Sequence, residues 1–146
     1  MCKPVETVGI DVGAEELWVA VGGRKPRSFS HSRAGIRPLH QWVRGQVNGT
    51  AVHYCLEATG VYGLHVATYL LALTEVRVSI VNPAVIAAFG RAQMKRSKTD
   101  PIDAELIRAY AAQHQLPLWR PEPGALRQLA ALVTQAVAGS DTPPAV

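Results

Sequence analysis

An aspartate in the middle of an apolar strand is the tightest constraint in this sequence. Residues 5–13 alternate: Val8, Ile10 and Val12 fall on one face, and Thr7, Gly9, Asp11 and Gly13 on the other. Asp is poorly suited to strands. Here it has apolar neighbours and a glycine two positions away on either side. The charge therefore asks for a functional reason.

The segments that follow predict the rest of a sheet. Residues 17–21 form a second strand, Gly22-Gly23 a turn, and residues 27–30 a short third strand, giving an antiparallel meander. Ser32 can cap a helix to about residue 43, marked by Ile36, Leu39, Trp42 and Val43, although Pro38 is awkward in its first turns. Residues 50–57 are a buried strand, 61–73 a helix apolar nearly all round, and 76–81 another strand. Asn82-Pro83 opens a helix to about Gly90. Residues 91–99 are a basic loop, and Asp100-Pro101 opens a helix ending near Gln115. Three strands, helix, strand, helix, strand and two helices make an α/β domain with a mixed sheet and flanking helices. That order suits a ribonuclease-H-like fold. The expected boundaries are a domain over residues 5–116, a linker with the start of a further helix over 117–138, and a disordered tail over 139–146.

Composition narrows the class. The chain has 146 residues, 48% of them hydrophobic, enough for one domain at about 100–200 residues per domain. Cys2 and Cys55 stand far apart and no paired zinc-ligand spacing occurs, so a disulfide or zinc scaffold is excluded and a reducing compartment is expected. The stretch 66–73 is too short to span a bilayer, and the N-terminus has no leader pattern; the expected location is the cytoplasm, with no membrane partner. A net charge of +4 permits a polyanionic partner without requiring one.

The chemistry follows from where the acids fall. Asp11 lies in the first strand, Glu57 ends the fourth, and Asp100 and Asp103 sit three residues apart on one face of a helical turn. Ligand sites of α/β sheets collect at the carboxyl ends of strands. If the strands of Asp11 and Glu57 are neighbours and the helix docks beside them, the four carboxylates converge. Like charges a few ångströms apart raise one another's pKa. A pair of Mg²⁺ or Mn²⁺ ions removes that cost and can activate and stabilise the oxygens of a phosphodiester. Simpler readings stand beside this one. Asp100-Pro101-Ile102-Asp103 is also a well-formed helix start, and Glu57 can be a solvated strand end. Arg91, Lys95, Arg96 and Lys98 form a basic run with no acid among them, either a solvated loop or a grip on phosphates. Thr59 and Tyr62 follow Glu57, and Tyr62 can stack on a base or cap the core. His65 and His114 are ordinary helix residues in this reading. No Ser/His/Asp arrangement suggests nucleophilic catalysis.

Taken in order, Gly9-Ile10-Asp11-Val12-Gly13, Glu57-Ala58-Thr59-Gly60-Val61-Tyr62, Val81-Asn82-Pro83 and the run from Lys95 through Lys98-Thr99-Asp100-Pro101-Ile102-Asp103-Ala104 resemble the N-terminal, RuvC-like domain of the DEDD transposases of insertion sequences. The resemblance covers about residues 8–115. It implies that Asp11, Glu57, Asp100 and Asp103 are a metal-binding tetrad using Mg²⁺ or Mn²⁺. It also implies a DNA substrate, a guide RNA in many members, and a dimer or higher homo-oligomer. Members carry a second domain that contributes a serine nucleophile. This sequence stops in a Pro-rich stretch before any such domain, so a truncated form is expected.

Two other functions compete. Residues 10–13 followed by 17–21 also resemble the first phosphate loop of actin-like and sugar-kinase nucleotide-binding modules, though no second glycine-rich loop is present. A non-catalytic nucleic-acid-binding remnant is the third reading.

Overall fold

Apolar runs of alternate-residue period supply the central strands of one sheet. The computed structural model describes residues 5–47, 51–57, 60–92 and 100–120, with the side chains of Val61 and residues 100–102 outside that description. The elements are β1 (Val5–Val12), β2 (Glu16–Val21), β3 (Arg27–Ser30), α1 (Arg33–Gln46), β4 (Ala51–Glu57), α2 (Gly60–Leu71), β5 (Val76–Val81), α3 (Pro83–Ala92) and α4 (Asp100–Gln113). The strand order is β3-β2-β1-β4-β5. β1 and β3 pair antiparallel to β2 through short turns, whereas β1–β4 and β4–β5 pair in parallel. Parallel neighbours need a long crossover, and α1 and α2 provide it. This is the ribonuclease-H-like arrangement expected from the order of elements.

The two faces of the sheet are covered differently. Val8 and Ile10 of β1, Tyr54 and Leu56 of β4 and Val78 of β5 pack with Ile36, Leu39 and Val43 of α1 and Val66, Ala67 and Leu70 of α2. On the opposite face Cys55 and Val81 pack with Ile86 of α3 and Leu106, Ile107 and Ala111 of α4. Burying a leucine- or isoleucine-sized side chain contributes roughly 1.5–3 kcal/mol, so the first and larger cluster carries most of the stability.

The helix starts follow local chemistry. Ser32 Oγ accepts from the Gly35 backbone N–H at 3.2 Å, and Asn82 Oδ1 accepts from the Ala84 N–H at 2.8 Å. Each satisfies a donor that the first turn leaves free. α1 runs through Pro38 to Gln46, past the end near residue 43 expected from its spacing. Pro38 and Ala34 are both exposed, so water can take the carbonyl that the proline leaves without a partner. α3 likewise takes in Arg91 and Ala92. A cation in the last turn meets the negative end of the helix dipole.

The stretch after α4 is tied to the sheet edge. The Trp119 N–H donates to the Val78 carbonyl at 2.7 Å. Ser79 Oγ donates to the Pro117 carbonyl at 2.7 Å, and His53 Nε2 lies 2.7 Å from the same hydroxyl. Residues 117–120 thus cover part of edge strand β5, whose free backbone groups would otherwise invite pairing with another chain.

Two packed histidines give the fold a pH dependence. His40 Nδ1 meets the Tyr54 hydroxyl at 2.7 Å. Burial holds His40 and His53 below the ordinary imidazole pKa, and the guanidiniums of Arg44 and Arg77 push the same way. The unfolded chain therefore binds more protons at mildly acidic pH, so this stabilisation is complete above about pH 6.5 and is lost as pH falls through that value toward the lower folded-state pKa. We expect the thermal midpoint, followed by circular dichroism, to drop between about pH 7.5 and pH 5. The double variant His40→Gln/His53→Gln should show a shallower drop; an equal drop would assign the effect to other groups.

Candidate active site

Asp11 is the penultimate residue of β1, and Glu57 is the last residue of β4. The β1–β4 register pairs Gly9 with Cys55 and Ile10 with Leu56. One more step sets Asp11 beside Glu57, at the roughly 4.8 Å spacing of paired strands. Side chains two apart on a strand share a face. Asp11 therefore shares the face of Gly9, and Glu57 the face of Cys55, which is the face covered by α4. Both acids are half-buried.

Gly9 is what lets α4 come close. A Cβ on Gly9 would collide with the Ala104 carbonyl and lie 2.5 Å from the Arg108 backbone nitrogen. Farther along α4, the Arg108 guanidinium nears Gly22 and interacts with Glu6, at the opposite end of β1 from Asp11. α4 therefore runs antiparallel to β1, with its N-terminal turn toward the Asp11 end. Asp103, half-buried, precedes Ala104 in that turn. Asp100 opens the helix one turn earlier; its side chain is outside the described residues. The positive end of the α4 dipole faces the same region, which favours negative charge there.

The fold thus brings Asp11 and Glu57 together on adjacent strands and carries Asp103 to the same end of the sheet. Among the described residues, no three His, Cys, Asp or Glu side chains are drawn together as a closed ion cage. The donor chemistry is that of carboxylate oxygens, which suits a hard divalent cation that keeps several waters. Of the other residues singled out in the sequence, Arg91 is exposed in the last turn of α3 and Tyr62 is 51% exposed on α2. Thr59, Lys95, Arg96 and Lys98 lie outside the described residues.

Among the described residues, Cys55 and Ser79 are not placed for covalent chemistry. Cys55 is fully buried, and burial pushes its thiol up to about 12, so no thiolate nucleophile forms at neutral pH. Ser79 is fully buried and its hydroxyl is committed to Pro117.

One group was not legible in the sequence. His31 Nδ1 donates to the Gly13 carbonyl, just past Asp11 on the chain, and its ring meets Tyr62 edge-on with centroids 5.3 Å apart. His65 meets the other residues of this group at Tyr62, 6.4 Å between centroids and nearly perpendicular. His65 is buried with its Nε2 unpartnered among the described residues. No local pattern joins residue 31 to residues 62 and 65. Only the turn after β1, the end of β3 and the start of α2 bring them together.

Comparison with known proteins agrees with this architecture. Residues 8–138 match the family model of the IS110-type DEDD transposases, described as transposase. The chain is 31% identical over 132 residues to the pilin gene-inverting protein of Moraxella bovis, a match covering 88% of this chain and 41% of that protein. It is 34% identical over 109 residues to the pilin gene-inverting protein of Moraxella lacunata, covering 74% of this chain and 34% of that protein. The matches thus span less than half the length of either relative. Among the described residues, no helix is long and apolar enough to cross a membrane. With the family model matching residues 8–138 of the chain and the strands of Asp11 and Glu57 side by side, this chain belongs to the DEDD transposase family.

Proposed function

We propose that this chain is the catalytic domain of a DNA recombinase that cleaves and exchanges strands with divalent metal held by Asp11, Glu57, Asp100 and Asp103. The observation that carries the reading is the register of β1 and β4, which sets two carboxylates side by side beneath the N-terminal end of α4. Family membership implies divalent-metal dependence in general, and the oxygen-only donor set leads us to Mg²⁺ or Mn²⁺. The relatives' name, pilin gene-inverting protein, supports DNA recombination over the nucleotide-binding reading. We assign residues 5–116 to the catalytic domain and residues 117–138 to a linking segment.

Bound metal would supply Lewis-acid stabilisation of the attacking and leaving oxygens. The chain's own residues do the rest. β1 and β4 fix two carboxylates on a rigid sheet. α4, seated on Gly9, fixes a third from a different element and offers its dipole to the negative charge gathered there. Arg91, together with Lys95, Arg96 and Lys98, lies next to Asp100 in sequence and is suited to holding phosphates by charge and hydrogen bonds. Thr59 and Tyr62 complete the proposed nucleic-acid contacts. A guide RNA and assembly as a homo-oligomer belong to the same reading.

The test is thermal unfolding of the chain with added Mn²⁺, Mg²⁺ or ATP. A ligand at 100 times its Kd stabilises the native state by about 2.7 kcal/mol. We expect a saturable shift with Mn²⁺ that Glu57→Gln and Asp103→Asn each reduce, and no ATP-dependent shift. An ATP-dependent shift unaffected by Glu57→Gln would instead favour a nucleotide-binding module.

A further inference from the structure

The sheet end that carries Asp11 and Glu57 also carries an aromatic group that the carboxylate chemistry does not use. Tyr62 is half exposed, an unusual position for so large a ring on a helix that is otherwise largely buried. Its ring is braced on two sides, edge-on by His31 at 5.3 Å and by His65 at 6.4 Å. His31 is itself held in place by the Gly13 carbonyl through Nδ1 and by its backbone N–H to the Glu15 carbonyl at 3.0 Å. The two T-shaped contacts hold the ring with little rotamer freedom left to lose on binding, and its 51% exposure leaves ring surface open to a ligand. His65 is 5% exposed, yet its Nε2 has no hydrogen-bond partner among the described residues. A buried polar atom in that state costs free energy unless something satisfies it.

We propose that Tyr62, positioned by His31 and His65, is the stacking platform for an unpaired nucleobase beside the carboxylate site. This deepens the recombinase reading and rests on it: the site would take single-stranded or splayed nucleic acid, where a duplex offers no free base face. Stacking is tolerant of sequence because every base has a flat face. His31 and His65 act through Tyr62 and are positioning residues.

The experiment measures binding of the whole chain to three fluorescent oligonucleotides: single-stranded DNA with one 2-aminopurine, single-stranded RNA of the same sequence, and the matching duplex DNA. Tyr62→Ala is expected to weaken single-strand binding by about tenfold and to abolish 2-aminopurine quenching, with a smaller loss of duplex affinity. Tyr62→Phe should retain both. His31→Ala should lower the quenching without changing duplex affinity, and His31→Asn, which keeps a donor for Gly13, should restore part of it. The two single-strand arms identify whether DNA or RNA supplies the base. Single-strand binding that is intact in Tyr62→Ala overturns the platform and leaves the recombinase reading standing. Absence of binding to all three oligonucleotides overturns both.

Discussion

Gly9→Ala is expected to destabilise the domain by about 3 kcal/mol and to disable the candidate site, although alanine adds one methyl group. The space that a Cβ would enter is filled by backbone: the Ala104 carbonyl and, at 2.5 Å, the Arg108 nitrogen. Overpacking against side chains typically costs about 1–3 kcal/mol because rotamers can adjust. A helix backbone cannot adjust alone, so α4 has to lift from β1 along its length. The second core cluster, which joins Leu106, Ile107 and Ala111 to Cys55 and Val81, would loosen with it. A loss of that size lowers the thermal midpoint by roughly 10 °C in a domain of this length. Asp103 moves with α4, so metal-dependent stabilisation should fall together with the thermal midpoint. Gly45→Ala is the control. Gly45 lies within α1, and a Cβ there meets nothing within 4 Å. Alanine at that position should stabilise by about 0.5–1 kcal/mol. Calorimetry and circular dichroism of the two variants decide the matter. Equal midpoints would mean that α4 seats on β1 less tightly than the glycine contact implies.

The same contact marks where sequence reasoning runs out. Strand alternation placed Asp11 and Gly9 on one face, and the capping residues placed the starts of α1 and α3, because those signals are local: Ser32 and Asn82 hydrogen-bond within their own first turns. Adjacency of β1 and β4 was inferable only as a condition of the carboxylates meeting, since pairing register depends on contacts between residues more than forty positions apart. The role of Gly9 as the seat of α4 left no local trace, because a glycine in a strand is equally compatible with a bulge or a turn. His31 was silent for the same reason. Its significance lies in the Gly13 carbonyl and the Tyr62 ring, which come from two other elements. The docking of Trp119 on Val78 was hidden by the prolines around it, which suggest a free linker, although proline at a sheet edge is compatible with docking.

Asp11→Asn should leave the fold intact and remove metal-dependent function. Asparagine matches aspartate in size and keeps hydrogen-bonding capacity, so the strand pairing of Asp11 with Trp18 and the half-buried setting of the side chain can both persist. What disappears is the negative charge. A hard divalent cation draws its affinity from carboxylate charge, and a neutral amide oxygen is a much weaker ligand. Even partners outside the ligand set alter metal affinity by about 10–100-fold when mutated. A lost ligand charge should therefore weaken Mn²⁺ binding by about 100-fold or more. Strand cleavage should fall further: if the metal supplies several kcal/mol of transition-state stabilisation, its loss costs on the order of a thousandfold in rate. Glu15→Gln is the matched control, because Glu15 is an exposed acid in the turn just after β1. It removes the same charge close by in sequence but on the solvated side, where about 8 Å of screening length at physiological salt blunts its field. Isothermal titration with Mn²⁺ and cleavage of a supercoiled plasmid, run on both variants with circular dichroism as the check on folding, separate the two cases. If Asp11→Asn and Glu15→Gln bind Mn²⁺ alike, the charge in β1 is not a metal ligand, and the paired register of β1 and β4 would need another explanation.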